Sequence, residues 1–442
     1  MTPQRIVLRR AFEGAVAAAD PAAAVRSHLP DPPERGRIIV VGLGKAAAPM
    51  AAAAEERYLG AGVPLEGVVV TRYDHAQPLQ RVRCLEAGHP VPDAAGQAAA
   101  EAILASVDRA GADDLVLVLV SGGGSALACA PSHGLTLDVK QALTDALLRS
   151  GVDITEMNLV RKHLSRIKGG RLALRAAPAR VVALVVSDVV GDDLAAIASG
   201  PTVADGSTPA DALAVLDRYG LDAPDARAAL ERGASERTPQ PSDPAFARVE
   251  TRLIASNRES LAAAATVVEA AGYRPLTLSD AITGEAREAG AFHAAVALHA
   301  WREGQPAPPP LALLSGGETT VTVRSDGHPA PRGSHPAPRG GRNSEFALGL
   351  ALALPDAESA PIAALAADSD GIDGFGGHAG AFVTPELLRG WDRRAARAAL
   401  ERHDSYTLFE AYDHLLVTGP TRTNVNDVRI VLVGTPDDGA MR

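Results

Sequence analysis

The sequence predicts an α/β protein of two domains, each a mostly parallel sheet flanked by helices, and three observations carry that prediction. Short apolar runs alternate with alanine-rich helical stretches along the whole chain, the pattern of successive βαβ units. One run, Leu115–Val120, is apolar at every position, as suits a central strand covered on both faces. At 442 residues the chain is also longer than one hydrophobic core normally supports.

In the first half, strands are expected at Arg37–Val41, Gly67–Thr71, Arg81–Glu86, Asp114–Val120 and Arg180–Ser187. Helices are expected near Lys45–Arg57, Asp93–Arg109 and Leu137–Ser150. The polar segment Arg232–Ala245, with its three prolines, reads as a linker, so the expected domains are residues 1–235 and 236–442. An amphipathic helix within Met1 to Asp20 is free to pack on the second domain. The second series of strands is expected at Arg252–Ala255, Tyr273–Leu278, Leu311–Leu314, Thr320–Arg324, Ile362–Ala366, His414–Val417 and Arg429–Val433. The hexapeptide HPAPRG occurs at His328–Gly333 and again at His335–Gly340, and such proline-rich copies read as an expanded loop.

Composition narrows the function. Apolar residues make up 46% and charged residues 22%, ordinary for a globular chain, while the 3% of aromatics leaves the core to Val, Leu, Ile and Ala. A formal charge of -10 argues against nucleic acid as a partner, although a local cluster of cations can still hold a small anion. No apolar run approaches the ~18 residues of a membrane helix, and the N-terminal stretch lacks the continuous apolar region of a signal peptide. Cys84 and Cys129 have no metal-ligand spacing and read as small buried residues in a reducing compartment. A cytoplasmic monomer or homodimer with small-molecule substrates is therefore expected.

Several segments could carry chemistry. Gly42-Leu43-Gly44-Lys45 follows a strand and opens a helix, where free N–H groups and a lysine could meet an anion. With Ala47 it fits a loose G-x-G-x-x-A dinucleotide fingerprint, and Arg72 could then meet a 2′-phosphate. Ser121-Gly122-Gly123-Gly124-Ser125 ends the buried strand and reads as an oxyanion cradle of backbone amides. Ser315-Gly316-Gly317-Glu318-Thr319 parallels it in the second half. Asn158–Leu172 reads as a helix carrying Arg161, Lys162, His163, Arg166 and Lys168, either a solvated basic face or a clamp for a carboxylate or phosphate. Acidic clusters follow two strands: Asp188, Asp192 and Asp193 in one, Asp368, Asp370 and Asp373 in the other. They suit either turns and caps or the metal and hydroxyl contacts of phosphoryl transfer. Arg342, beside Asn343 at a helix start, could stabilise a transferring phosphoryl group. Thr418 and Gly419 lie in a hydroxyl-rich loop after another strand.

Taken in order, these pieces resemble the MOFRL-type glycerate 2-kinases. The matching stretches are VVGLGKAA (40–47), EAGHPVPD (86–93), SGGGSAL (121–127), MNLVRKHLSRIKGGRLA (157–173) and SDVVGDDLAAIASGPT (187–202). They continue with SGGET (315–319), GGRNSE (340–345), DSDGIDG (368–374) and TGPTRTNVND (418–427). The resemblance implies a first, Rossmann-like domain and a second MOFRL-type domain, with the active site in the cleft between them. It also implies transfer of the ATP γ-phosphoryl group to the 2-hydroxyl of D-glycerate, with Mg2+. It implies Lys45, Arg342, Asp188 and Asp370 as catalytic residues, with glycerate or phosphate on Ser121–Ser125, Arg161 and Lys168. Nucleotide contacts are then expected from Gly316, Gly317, Glu318, Asn343, Thr418 and Gly419, and a metal on Asp188 and Asp192. Members of the family usually carry Gln in place of Ser344, Gly in place of Pro338, and frequently Gly in place of Arg422. The alternatives on the residues alone are an NAD(P)H-dependent hydroxypyruvate reductase, resting on the glycine fingerprint and Arg72, and a non-catalytic sugar-acid or nucleotide binder.

Overall fold

The computed structural model describes residues 2–233, 239–323, 339–355, 360–374 and 376–436. Two compact units emerge, Pro21–Ala255 and Met1–Asp20 with Ser256–Arg442.

In the first unit β1 (Ile38–Leu43), β2 (Leu65–Arg72), β3 (Val82–Ala87), β4 (Leu115–Val120), β5 (Arg180–Val186) and β6 (Val249–Ala255) form one sheet in the order 3-2-1-4-5-6. Every neighbouring pair is parallel. Strands β1 and β4 are buried at every residue, as their unbroken apolar runs require. The strand expected to open the second domain, Arg252–Ala255, is instead the edge of this sheet, so the division falls at Ala255 rather than at residue 235. The proposed linker is likewise internal to the first unit. Its described part leaves a helix ending at Gly233 and leads through a 3-10 turn, Pro244–Arg248, into β6.

The helix Ala47–Gly60 buries an acid, Glu55, against this sheet. Its carboxylate accepts hydrogen bonds from the backbone N–H groups of Gln80 (2.7 Å), Arg81 (2.6 Å) and Val82 (2.7 Å), which fixes the entry to β3.

In the second unit the sheet is ordered β11-β10-β9-β12-β8-β7. It is built from β7 (Arg274–Ser279), β8 (Leu311–Gly317), β9 (Ile362–Asp368), β10 (Gly380–Val383), β11 (Leu415–Leu416) and β12 (Asp427–Val433). Only β7 and β8 pair in parallel; the other neighbours are antiparallel, so the expectation of a mostly parallel second sheet is corrected. Apolar runs that are buried on both faces look the same in either direction, and only the partner decides. The short β10 gave no periodic signal. The strand expected at Thr320–Arg324 is, over its described residues, one bridge from Thr320 to Glu285, because β12 offers β8 no partner beyond Asp427.

The N-terminal helix, Pro3–Ala18, belongs to this second unit. Leu8, Ala11, Phe12 and Ala15 pack with Leu261, Ala264 and Val268 of the helix Asn257–Ala270. Small alanines let the two backbones approach until Ser260 Oγ donates to Ala15 O at 2.9 Å. Among the described residues no helix is long and apolar enough to cross a membrane. The HPAPRG duplication, up to Pro338, lies outside the described residues.

Replacing Glu55 by Ala should leave those three amides unsatisfied in a buried place, at a cost of ~2–4 kcal/mol. Urea denaturation followed by circular dichroism should show the midpoint fall accordingly; an unmoved midpoint would mean that water replaces the carboxylate.

Candidate active site

Strands β1 and β4 lie side by side where the strand order reverses, the position at which open α/β sheets bind ligands beyond their C-terminal ends. Two loops leave from there, Gly44–Lys45 after β1 and Ser121–Ser125 after β4. They lock together: Lys45 N–H donates to Gly122 O at 2.9 Å, and Ala46 N–H donates to Ser121 Oγ at 3.0 Å. The amides that a dinucleotide fingerprint would offer to a pyrophosphate are therefore already used, and Ser121 is a buried brace.

Side chains converge above Gly122 and Gly123. A Cβ on Gly122 would lie 1.9 Å from Asp188 Oδ2, and one on Gly123 would lie 2.8 Å from His89 Cδ2 and 3.4 Å from Lys45 Cγ. Gly123 is also left-handed, with φ 79°. Only glycine fits at these two positions, and the space is filled by a cation, an imidazole and a carboxylate. His89 owes its place to Asp93, which accepts from the N–H groups of Gly88 (3.0 Å) and Gly96 (2.8 Å) and from the Tyr73 hydroxyl (2.6 Å). Burial first, then the charges of Lys45 and Arg72, push the His89 imidazole down to about 4, so it is neutral at pH 7.

Gly124 opens a short helix, and the flanking Ser125 hydroxyl shares a 2.6 Å hydrogen bond with Ser199. The Ser125 carbonyl accepts from Lys168 Nζ at 2.9 Å. The basic helix is shorter than expected. It runs from Ile154 to His163, so it carries Arg161 but not Arg166 or Lys168, which lie in the turn before Gly169 and Gly170. The break follows from Ser165, which pairs with Pro131 and whose hydroxyl accepts from the N–H groups of Ile167 and Lys168. Asp192 sits in the loop after β5 with a left-handed backbone, φ 56°.

In the second unit the site grows from β8, β9 and β12. Asp427, the first residue of β12, lies opposite Gly317 on one side and Asp368 on the other. The helix Arg342–Ala353 begins beside them. Its N-terminus is capped by the buried Asp373, which accepts from Asn343 N–H and Ser344 N–H at 2.8 Å each and from the Ser344 hydroxyl at 2.7 Å. That cap presents Arg342, the first residue of the helix, to three carboxylates. Its Nε donates to Asp427 (2.8 Å), Nη1 to Glu318 (2.8 Å) and Nη2 to Asp368 (2.7 Å). Burial alone would lower the guanidinium pKa, but the three acids outweigh it and raise it. Burial, with Asp370 and Asp427 adding repulsion, holds the Asp368 carboxyl well above the usual range despite Arg342.

Arg342, Asp368 and Glu318 line a cavity of about 460 Å³ with Asp373, Glu345 and His403, a volume suited to a small ligand. Asp368, not Asp370, meets Arg342. Asp370 shapes the turn, its carboxylate accepting from Ile372 N–H at 2.8 Å. Gly316 and Gly317 are buried residues of β8 and not an open cradle, because Asn257 and Ile282 already occupy the space beside them. Asn343 is wholly buried, its amide nitrogen donating to Asp427 at 2.7 Å. The Thr418–Gly419 loop backs the turn after β9, with Thr421 N–H donating to Asp370 O.

Residues 7–231 match a domain family described only as of unknown function, DUF4147, and residues 311–427 match the MOFRL family. A D-glycerate 2-kinase of Thermotoga maritima is 40% identical over 90% of this chain and 91% of its own length. The crystal structure of a glycerate kinase from that organism superposes with a TM-score of 0.87 at 38% identity, covering 98% of this chain and 100% of that one. The chain belongs to the MOFRL-type glycerate 2-kinase family. A relative from Agrobacterium vitis, 52% identical over 97% of this chain and 94% of its own length, carries the provisional name hydroxypyruvate reductase.

Two departures from the family pattern now have structural settings. Ser344 is buried and bonded to Asp373, Gly341 and Ser405, a compact replacement for a longer amide. Arg422 has φ 64°, the left-handed conformation that explains glycine there in other members of the glycerate 2-kinase family. His89 lies beside Lys45, and Asp427 and Arg429 lie beside Arg342, and the reading of single motifs singled out none of the three. Two of them stood inside matching stretches, EAGHPVPD and TGPTRTNVND, without a charge pattern to single them out.

Because Lys45 is one cause of the low His89 pKa, Lys45→Met should move the imidazole titration up from about 4 part of the way towards 6.5. Burial and Arg72 would hold back the remainder. An NMR pH titration of the histidine ring protons reads this directly, and an unchanged His89 curve would separate the two residues.

Proposed function

We propose that the chain transfers the γ-phosphoryl group of ATP to the 2-hydroxyl of D-glycerate, giving 2-phosphoglycerate and ADP. The observation that carries this reading is the meeting of Lys45, His89 and Asp188 over the side-chain-free Gly122–Gly123 turn. Such a set can hold an anion and accept a hydroxyl proton. In the transfer the glycerate O2–phosphorus bond forms as the bond from phosphorus to the β,γ-bridging oxygen breaks. The hydroxyl proton passes to Asp188, and Lys45 offsets charge on the phosphoryl oxygens.

The cavity at Arg342 would take nucleotide phosphates, with the guanidinium exchanging a carboxylate for a phosphoryl oxygen. Glu318, Asp368, Asp370 and Asp427 outnumber Arg342 and Arg429 there, so a polyphosphate needs a cation to approach. Magnesium would supply that neutralisation. Such an ion would be held by one or two carboxylates together with the nucleotide. Asp368, beside Arg342, is an acid that would suit it.

The reductase reading draws on the name of the Agrobacterium relative. Against it stands the glycine turn after β1, whose Lys45 and Ala46 amides are bonded to the neighbouring loop. Incubation with hydroxypyruvate and NADPH should accordingly show no loss of nicotinamide absorbance; steady oxidation would reverse the assignment.

Lys45→Ala should lower kcat by about 100-fold or more, in the range of single electrostatic stabilisers, with little change in melting temperature. Near-normal turnover would remove Lys45 from the chemistry. Regiochemistry is the sharper test. With glycerate, ATP and a divalent metal, a coupled assay through enolase alone should report product, since enolase accepts only the 2-phosphate. A signal that appears only after a phosphoglycerate mutase is added would mean transfer to the 3-hydroxyl.

A further inference from the structure

Three cations on three different segments of the first unit are near enough to repel one another, and one of them, Lys168, is bonded to the Ser121–Ser125 turn. Lys140 comes from the helix Leu137–Arg149, Arg161 from Ile154–His163, and Lys168 from the turn that follows. Lys140 is 6% exposed and Lys168 1%, while Arg161 is half-buried and leads towards solvent. Buried ammonium groups ordinarily have carboxylate partners. Here Lys140 Nζ donates to Leu164 O at 3.4 Å, Lys168 Nζ to Ser125 O, and Arg161 Nη1 to Asn158 Oδ1 at 3.4 Å. Among the described residues no carboxylate bonds to any of the three. Neighbouring cations on the same surface do have acids: Lys162 pairs with Asp205, and Arg166 with Glu101.

Among the described residues only the neighbouring Cys129 sulfur offsets the three charges, and they repel one another. Burial and mutual repulsion push Lys168 well below the ordinary lysine range; burial lowers Lys140 and Arg161 as well, and Arg161 adds repulsion on Lys140. A folded protein keeps such an arrangement where a ligand supplies the missing charge. Through the Lys168–Ser125 bond the cluster is also tied to the turn over which Lys45, His89 and Asp188 meet.

We propose that Lys140, Arg161 and Lys168 form one receptor for the carboxylate of the acceptor substrate, with Lys140 as a binding residue that motif reading did not single out. The identity of the acid rests on the glycerate-kinase reading; the existence of the receptor does not. The chemistry recognised is a compact monoanion, carboxylate or phosphate. The carboxylate is favoured because the acceptor hydroxyl lies one bond from the carbon that bears it, so anchoring the acid also aims O2.

The test is thermal unfolding of the nucleotide-free protein with D-glycerate, with glycerol as the same skeleton lacking the acid, and with inorganic phosphate. Glycerate should raise Tm, glycerol should not, and phosphate should do so less at equal concentration. Lys140→Met replaces an uncompensated buried cation with an apolar chain of similar length. Its ligand-free Tm should match or exceed that of the unmodified protein, while the glycerate shift disappears. Its KM for glycerate should rise at least ten-fold with the KM for ATP unchanged. Arg161→Gln, at the half-buried end, should lose the same shift, and Lys162→Met should keep it.

A retained shift and normal glycerate KM in Lys140→Met and Arg161→Gln would overturn the receptor. A larger shift with phosphate than with glycerate would overturn its assignment to the carboxylate. A thiolate ultraviolet band at pH 7 that vanishes in Cys129→Ser and ignores glycerate would show the charge balanced internally, which also overturns it. A Lys140-dependent glycerate shift in a protein that forms no phosphoglycerate would instead leave the receptor standing and reject the kinase reading.

Discussion

Asp427 sits wholly buried where β12 begins, between the ends of β8 and β9, and its carboxylate is claimed from four directions. Arg342 Nε and Asn343 Nδ2 donate to one oxygen, and Arg429 and the Thr319 N–H donate to the other. One side chain thus joins the start of a helix, the loop after β8 and the middle of the sheet. Arg429 is itself fully buried, donates to Gly316 O and lies over the Phe346 ring. Such an arrangement does not add stability simply because it is ionic, since taking both charges out of water costs about what their attraction returns. What it supplies is position: without Asp427 the buried Arg429 would lose its carboxylate and Arg342 one of three, so the geometry around Arg342 has few alternatives.

The two units handle charge in opposite ways. In the second, acids surround Arg342, and burial with Asp370 and Asp427 as neighbours holds the Asp368 carboxyl well above its ordinary range. In the first, cations are buried without acids, and the neutral His89 stands beside Lys45. Neither imbalance helps folding. Both are understandable as places where a ligand of the complementary sign completes the structure, and they are where burial, like-charge neighbours and special backbone conformations coincide.

Glycine does different work in the two halves. Gly122 and Gly123 leave room for the side chains of Lys45, His89 and Asp188, whereas Gly316 and Gly317 leave room for Asn257 and Ile282. The same motif in sequence, a strand running into consecutive glycines, therefore meets ionisable side chains once and an amide with a backbone segment the other time. Family membership joins the two halves to one reaction class, but the physical roles are separate.

By itself the sequence determined the alternation of strands and helices, the central position of Leu115–Val120, and the small set of loops that hold chemistry. Those follow from local periodicity and from residue types with restricted uses, such as glycine runs and Lys45. The tertiary structure decided the direction of the strands in the second sheet, because a run buried on both faces carries no mark of its partner's polarity. It also moved Arg252–Ala255 into the first sheet and exchanged Asp370 for Asp368 beside Arg342. His89, Lys140 and Asp427 were legible only there, for a charge becomes informative when its burial and its neighbours are known. Lys140 on its helix reads as one more solvated lysine; 6% exposure, with no carboxylate bonded to it among the described residues, makes it a different residue.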